Sequence, residues 1–144
     1  MFECEIEGFV NGQKFRKVYE KKCEYLMVKY DLRKIELDVL FFLDRYEDFN
    51  TAKDIVNNKC LSKAHVSKAI DNLTRKNYII VCPDSEDRRC LHLSATPKAQ
   101  PVVEELNIVW DQIIEIIYID FSEEEKTVLK NAIAKIIKNI DSAQ

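Results

Sequence analysis

Glycine and proline are scarce in this chain, which has two glycines and three prolines among its 144 residues. Tight β-turns depend on these residues, because glycine adopts backbone angles closed to other residues and proline presets a turn. An all-β fold is therefore disfavoured, and long segments with helical periodicity predict a mainly α fold. The balance of 47% hydrophobic and 33% charged residues is typical of one globular domain, residues 1–144.

Long apolar runs are also missing from the sequence. None approaches the ~20 residues that a membrane-spanning helix needs. Residues 1–7 are acidic where a secretory signal would be basic and then apolar. We therefore expect no membrane partner and a cytoplasmic location.

The common motifs of enzyme active sites are absent as well. There is no glycine-rich phosphate loop, no H-E-x-x-H metal motif and no nucleophile motif, and the only histidines, His65 and His92, fall in separate predicted elements. The chain is therefore not expected to be an enzyme or to carry a cofactor.

Cysteine is present in an odd number and without paired spacing, at Cys4, Cys23, Cys60, Cys82 and Cys90. In a reducing compartment this favours free thiols over a disulfide framework. A metal or thiol site made by Cys82 and Cys90 across a hairpin, together with His92, is the alternative. No C-x-x-C spacing supports it, so we predict no metal site.

Positive charge is concentrated in one part of an acidic chain. The formal net charge is −3, yet residues 51–98 contain nine Lys and Arg against five Asp and Glu, or +4, which leaves thirteen basic and twenty acidic residues, or −7, elsewhere. One basic segment in an acidic chain is the distribution expected when a single surface meets the phosphates of a nucleic acid. Chance clustering of solvated charges is the alternative.

Two helices with apolar faces are predicted before the basic segment. Apolar residues recur at helical spacing from about Phe9 to Tyr30, and the segment from about Lys34 to Tyr46 is apolar on nearly all sides. The second helix must therefore be covered by several neighbours, as a central core helix is.

A helix-turn-helix outline opens the basic segment. Thr51 and Asp54 have the spacing of a capping box at the start of one short helix, and Ser62 is placed to cap the next. The runs from Tyr78 to Cys82 and from Arg89 to Ser94 then predict a β-hairpin around a charged loop. Alternation along the second run places Leu91 and Leu93 on its covered face.

Two long apolar helices complete the chain. Thr96 is placed to cap the fifth helix with Pro97 at its first position, and Pro101 is predicted to kink that helix near its start. The sixth helix opens with the capping box from Ser122 to Glu125. These two helices and the first one carry more apolar surface than so short a chain can cover, which predicts a two-fold homodimer.

Two segments of the sequence, LSKAHVSKAIDNLTRKNYII (residues 61–80) and DSEDRRCLHLSAT (residues 84–96), resemble the reading helix, wing and return strand of the MarR (multiple antibiotic resistance regulator) family of winged-helix transcription regulators. The order of elements is similar over nearly the whole chain. The resemblance implies a mainly α fold with a small β-hairpin wing. It implies that residues 1–33 form an N-terminal dimerisation helix, residues 34–96 a winged helix-turn-helix DNA-binding lobe, and residues 97–144 the C-terminal dimerisation helices. One departure is Ala99, near a position where the family commonly has glycine.

Candidate DNA contacts lie in the second helix of the helix-turn-helix and in the wing. The N-terminal part of such a helix enters the major groove, and the candidates there are Ser62, Lys63, Ala64, His65, Ser67 and Lys68. In the wing they are Arg88 and Arg89, because a narrow minor groove attracts guanidinium groups. The resemblance implies that Asp87 braces Arg89 in that groove. A solvated surface is the alternative for each charged residue.

The resemblance also implies how such a protein is regulated. A homodimer would present two reading helices to a pseudo-palindromic operator of double-stranded DNA, as a repressor that a small aromatic or anionic effector releases. The candidate walls of an effector pocket are aromatic residues, namely Tyr25, Tyr30, Phe41, Phe42 and Trp110. Two alternatives remain open: a winged module that binds only proteins, and a regulator that responds to thiol oxidation.

Overall fold

We describe a computed structural model of the chain, which covers residues 12–59 and 61–144. Over these residues the chain forms six α-helices: α1 (Gln13–Tyr30), α2 (Lys34–Arg45), α3 (Ala52–Lys59), α4 (Lys63–Arg75), α5 (Gln100–Ile117) and α6 (Glu123–Asp141). Strands β1 (Ile79–Pro83) and β2 (Leu91–Ala95) lie between α4 and α5 in the chain. The mainly helical prediction with one hairpin is confirmed, whereas the predicted helix start near Phe9 lies outside the described residues.

The chain divides into two compact units, with the boundary inside α5. The first unit ends at Trp110 and contains α1 to α4, the hairpin and the first part of α5. The second unit, Asp111–Gln144, contains the remainder of α5 and α6.

Helix α2 is the centre of the first unit. Its apolar residues are buried on nearly all sides, as the sequence predicted, and they are Leu37, Val39, Leu40, Phe41, Phe42 and Leu43. Helices α1 and α4 and strand β2 pack against it. Burial of each large apolar side chain contributes about 1.5–3 kcal/mol, so α2 holds these elements together.

One charged side chain, Glu36, is buried within this core and is 1% exposed. Its Oε2 accepts a hydrogen bond from the backbone N–H of Arg33 at 2.9 Å, and its Oε1 accepts one from Nδ2 of Asn72 in α4 at 3.0 Å. The Oδ1 atom of Asn72 in turn accepts from Nη2 of Arg75 at 2.8 Å. Because buried polar groups without partners are costly, these bonds set the position of α4 against α2.

The predicted caps of the helix-turn-helix are confirmed. At α3, Oγ1 of Thr51 accepts from the backbone N–H of Asp54 at 3.2 Å, and the Asp54 carboxylate accepts from the N–H of Thr51 at 3.0 Å. At α4, Oγ of Ser62 accepts from the backbone N–H of His65 at 3.2 Å. Each cap satisfies amide groups that a helix leaves without partners at its start.

The hairpin pairs five residues of each strand, from Ile79 opposite Ala95 to Pro83 opposite Leu91. Leu93 is 4% exposed, as predicted for the covered face, but the prediction for Leu91 is wrong, since this residue is 47% exposed. Leu91 belongs to the last pair before the charged loop, where the hairpin extends beyond the core that covers Leu93.

The start of α5 differs from the prediction. Residues Pro97–Ala99 form a 3₁₀ turn, and α5 begins only at Gln100. The hydroxyl of Thr96 does not cap the helix but donates to the carbonyl of Asn77 at 2.7 Å. Pro101 is then the second residue of α5, and N–H groups in a first turn need no partner within the helix, so its ring removes no bond that this helix requires.

Hydrogen bonds join the first part of α5 to α1. The carboxylate of Glu105 accepts from Nζ of Lys29 at 2.9 Å and from the hydroxyl of Tyr30 at 2.6 Å. The hydrogen bond from Tyr30 and then that from Lys29 lower the pKa of Glu105. The carboxylate therefore stays charged where it holds the two helices.

In the second unit, α6 opens with the predicted capping box. Oγ of Ser122 accepts from the N–H of Glu125 at 3.2 Å, and Oε2 of Glu125 accepts from the N–H of Ser122 at 2.8 Å. None of the side chains of this described helix is buried, and large apolar ones among them are exposed, namely Val128, Ile136, Ile137 and Ile140.

Candidate nucleic-acid interface

Helix α4 has one buried and one exposed face. Val66, Ala69 and Leu73 are buried beneath it, with no more than 2% of each exposed. All the sequence-predicted contact residues of this helix and its cap are exposed, namely Ser62, Lys63, Ala64, His65, Ser67 and Lys68. The periodicity of the buried residues thus presents two lysines, a histidine and small side chains together at the start of the helix.

The wing loop carries both predicted arginines at the surface. Arg88 and Arg89 are exposed, and so is Asp87. The described contact between Asp87 and Arg89 is a hydrogen bond from the backbone N–H of Arg89 to Oδ1 of Asp87, at 3.0 Å. The carbonyl of Asp87 also accepts from the N–H of Cys90 at 2.9 Å. These contacts fix the backbone from which the two guanidinium groups extend.

Asp84 organises this loop, and the sequence reasoning missed it. Its Oδ1 accepts from the backbone N–H groups of Glu86 at 2.8 Å and Asp87 at 3.0 Å. An aspartate that accepts from the amide two residues ahead is a common turn device, so the D-S-E spacing was an available signal. The N–H of Asp87, the ring of His92 and the N–H of Glu86 lower the pKa of Asp84 to about 2.

His92 and Asn50 complete this arrangement, and they were also missed as a pair. Nε2 of His92 lies 2.8 Å from Oδ2 of Asp84, and its Nδ1 lies 2.6 Å from Oδ1 of Asn50, which precedes α3. The backbone N–H of Leu93 donates to the carbonyl of Asn50 at 2.8 Å. A contact between residues 42 positions apart leaves no mark in local sequence patterns.

The aromatic residues predicted to line an effector pocket lie in several surroundings. Phe41 and Trp110 meet in one aromatic cluster, with ring centroids 5.8 Å apart, and Arg45 lies 4.4 Å above the ring of Phe41. Phe42 is 1% exposed and packs against Tyr46. The hydroxyl of Tyr30 bonds to Glu105, and Tyr25 is half exposed.

A cleft of about 520 Å³ lies elsewhere in the first unit, between the end of α1, the start of α2 and the end of α4. It is lined by Met27, Val28, Asp31, Leu32, Arg33, Glu36, Asn72, Arg75 and Lys76. The lining thus combines three cationic side chains with apolar ones, with the hydrogen-bonded pair of Glu36 and Asn72, and with Asp31, whose carboxylate lies 3.1 Å from Nζ of Lys76. No sequence motif predicted this cleft, because its walls come from three separate helices.

Three of the five cysteines fall within the described residues, and all three are free: Cys23 is buried, Cys82 is exposed and Cys90 is partly exposed. Cys4 and Cys60 lie outside the described residues. The hairpin register places His92, not Cys90, opposite Cys82, so the alternative of two thiols facing each other is wrong. Within the described part of the chain, no three His, Cys, Asp or Glu side chains are grouped to hold a metal ion.

Comparison with known proteins agrees with this geometry. The model of the MarR family matches residues 34–91. The chain is 26% identical to the HTH-type transcriptional regulator SarZ of Staphylococcus haemolyticus (strain JCSC1435) over 119 residues, which cover 83% of this chain and 79% of SarZ.

Two solved structures have a similar fold. A MarR protein from Peptoclostridium difficile is 26% identical, with a TM-score of 0.73, over 92% of this chain and 85% of that one. The S. aureus MepR protein in its complex with DNA is 20% identical, with a TM-score of 0.69, over 94% of each chain.

The fold and these comparisons together support a winged helix-turn-helix transcription regulator that binds DNA. The chain is similar to the MarR family of transcription regulators, whose model matches residues 34–91. Proteins of this family are transcriptional regulators and not enzymes. Among the helices of the described residues, none is both long and apolar enough to cross a membrane.

The charge of Asp84 generates a prediction about acid stability. Because its pKa of about 2 lies below the ordinary value of 3.8, the carboxylate stabilises the fold at neutral pH, and this contribution is lost as pH falls from about 4 to about 2. Asp84→Asn should therefore lower the free energy of unfolding at pH 7. The difference from the unsubstituted chain should shrink on acidification, as measured by urea unfolding at fixed protein concentration.

Glu86→Gln is the matched control for Asp84→Asn, because it removes the same charge from an exposed neighbour. It should change stability little at either pH. A loss in Asp84→Asn that is constant with pH would show that the charge of this carboxylate does not stabilise the wing.

Proposed function

We propose that this regulator is a repressor that binds a pseudo-palindromic operator as a homodimer and is released by a small anionic molecule with an apolar part. The observation that carries the DNA contacts is the exposed first half of α4, where Lys63, His65 and Lys68 face outward above a fully buried opposite face. Such a helix end fits the major groove, while its free amides and lysines meet phosphates.

The wing supplies the second contact. Arg88 and Arg89 extend from a loop whose backbone is held by Asp84 and Asp87. A guanidinium group is planar and weakly hydrated, and it is favoured in a narrow, electronegative minor groove. The MepR protein, whose fold this chain shares, was solved bound to DNA, which supports the same use of the fold here.

Homodimer formation is supported by apolar side chains left at the surface. In the first unit, α1 exposes Phe15, Val18, Tyr25 and Val28, and in the second unit the exposed set includes Ile119, Val128, Ile137 and Ile140. Extended apolar surfaces on soluble proteins mark interaction sites. In a two-fold dimer, each such surface packs against the same surface of the second chain. The dimer also brings two reading helices together.

Effector release is supported by the cleft beside α4. Arg33 and Arg75 provide positive charge, Lys76 is paired with the carboxylate of Asp31 at 3.1 Å, and Met27 and Leu32 provide apolar surface. The two arginines match the charged group of a small aromatic carboxylate or a similar anion, and the apolar side chains match its ring. Because Asn72 and Arg75 belong to α4, a molecule in the cleft would contact the reading helix directly. The conformations of the protein with and without this molecule would then differ in DNA affinity.

DNA reading is tested by Lys68→Ala and Arg89→Ala. Each should lower the affinity for a selected duplex by about tenfold or more, and each should make the dependence on salt shallower by about one charge, because a cation that meets DNA releases condensed counterions. Fluorescence anisotropy across a salt series measures both effects.

Lys135→Ala provides the control for these variants, since it removes an exposed lysine from α6. It should leave both affinity and salt slope close to those of the unsubstituted chain. Unchanged affinity in Lys68→Ala and Arg89→Ala would instead favour a winged module that binds proteins.

The dimer is tested by selecting bound sequences from random duplexes. We expect two inverted half-sites whose centres lie about one turn, ~34–36 Å, apart, and a solution mass of twice 16.9 kDa. Ile140→Glu should weaken the dimer and the binding of both half-sites together. Asn139→Glu is the control, because it adds the same charge at the adjacent exposed position, and it should leave both unchanged. A monomeric mass with a single half-site would contradict the homodimer.

The effector site is tested by screening small aromatic carboxylates for release of the selected duplex. Arg33→Ala should abolish release by an active compound while leaving DNA affinity without the compound nearly unchanged, because Arg33 lines the cleft but precedes α2. Lys14→Ala, an exposed change in α1, is the control. If Tyr25→Ala abolishes release and Arg33→Ala does not, the effector binds instead near Tyr25, one of the aromatic walls predicted from the sequence.

A further inference from the structure

The ring of His92 is held on both sides. Its Nδ1 lies 2.6 Å from Oδ1 of Asn50, in the corner between α2 and α3, and its Nε2 lies 2.8 Å from Oδ2 of Asp84, at the start of the wing loop. The adjacent N–H of Leu93 donates to the carbonyl of Asn50 at 2.8 Å. His92 therefore connects the wing loop to the segment that leads into the helix-turn-helix.

The contacts continue from Asp84 to the arginines. While Oδ2 of Asp84 meets His92, its Oδ1 accepts from the N–H groups of Glu86 and Asp87. Asp87 then accepts from the N–H of Arg89. A continuous set of hydrogen bonds thus runs from Asn50 to the backbone of the residue predicted to enter the minor groove.

We propose that His92 is a positioning residue for the wing, which holds Arg88 and Arg89 in a fixed place relative to helix α4. This role rests on the DNA contacts proposed above. A loop that is ordered before it binds avoids the loss of conformational freedom on complex formation. Both sets of DNA contacts can then form from one preorganised surface.

The ring can keep both contacts in either protonation state. A doubly protonated ring donates from both nitrogens to the oxygens of Asn50 and Asp84. A neutral ring donates from Nε2 to Asp84 and accepts at Nδ1 once the amide of Asn50 turns to present its NH₂ group. Asn50 therefore allows His92 to act as a positioning residue without a change of charge.

The first test measures the wing in the free protein, without DNA. His92→Leu keeps a side chain of moderate size but removes both polar contacts, so amide hydrogen exchange at Glu86, Asp87 and Arg89 should accelerate about tenfold, as expected when a charge-assisted bond is lost. His92→Gln retains a donor that can reach Asp84 and should restore part of the protection. Ser94→Ala changes an exposed residue of the same strand and should have no effect.

The second test is a double-mutant cycle on the selected duplex. His92→Leu should lower the affinity of the unsubstituted protein about tenfold, but by about threefold or less when Arg88 and Arg89 are both replaced by Ala, because the positioned groups are then absent. Low salt keeps the weaker complexes measurable. His92→Gln should again recover part of the lost affinity.

Coupled losses in the cycle, together with faster exchange limited to the wing, support the positioning role. Equal losses in both backgrounds, or exchange in His92→Leu that matches the unsubstituted protein, would overturn it. If the unsubstituted protein binds no duplex, the proposed function fails, while the exchange measurement still tests whether His92 orders the wing.

Discussion

The hydrogen bond between Glu36 and Asn72 joins α2 and α4, the two helices on which the packing of the first unit depends. It crosses from the buried side of α2 to the buried side of α4 at 3.0 Å, within a core where Leu37, Leu40 and Leu73 are fully covered. Apolar packing alone tolerates small rotations of one helix against another, whereas a buried carboxylate that loses its partner is strongly destabilising. Together with the buried side chains Val66, Ala69 and Leu73, the bond holds one side of α4 inward and leaves the opposite side exposed to solvent.

The wing is held mainly by hydrogen bonds, because it has almost no core of its own. Leu93 is buried, but the loop that joins Pro83 to Leu91 is largely exposed and is shaped by hydrogen bonds to the carboxylates of Asp84 and Asp87. This arrangement explains why Asp84 and Asp87 lie in a surface that is proposed to meet DNA. Their carboxylates accept hydrogen bonds from backbone amides, and Asp84 also contacts His92. The arginines between them then extend from a defined backbone at a low conformational cost.

Helical periodicity and capping chemistry predicted the order of the elements and the buried face of α4. The predictions failed where a residue's surroundings were not periodic. Leu91 follows the alternation of β2 but lies at the end of the hairpin beyond the core, and Thr96 has a cap's chemistry but donates to the carbonyl of Asn77 instead. In both cases a contact with a distant part of the chain, or its lack, overrode the local preference.

The sequence by itself determined the class of fold, the helix-turn-helix with its caps, the hairpin and the exposure of Lys63, Lys68 and Arg89, because these follow from spacings of a few residues. Only the tertiary structure showed the cleft between α1, α2 and α4, the bond from Glu36 to Asn72, and the contacts of His92 with Asn50 and Asp84. The physical reason is distance along the chain. Glu36 and Asn72 are 36 positions apart and His92 and Asn50 are 42 apart, so the packing of the whole first unit, and no local pattern, brings each pair together.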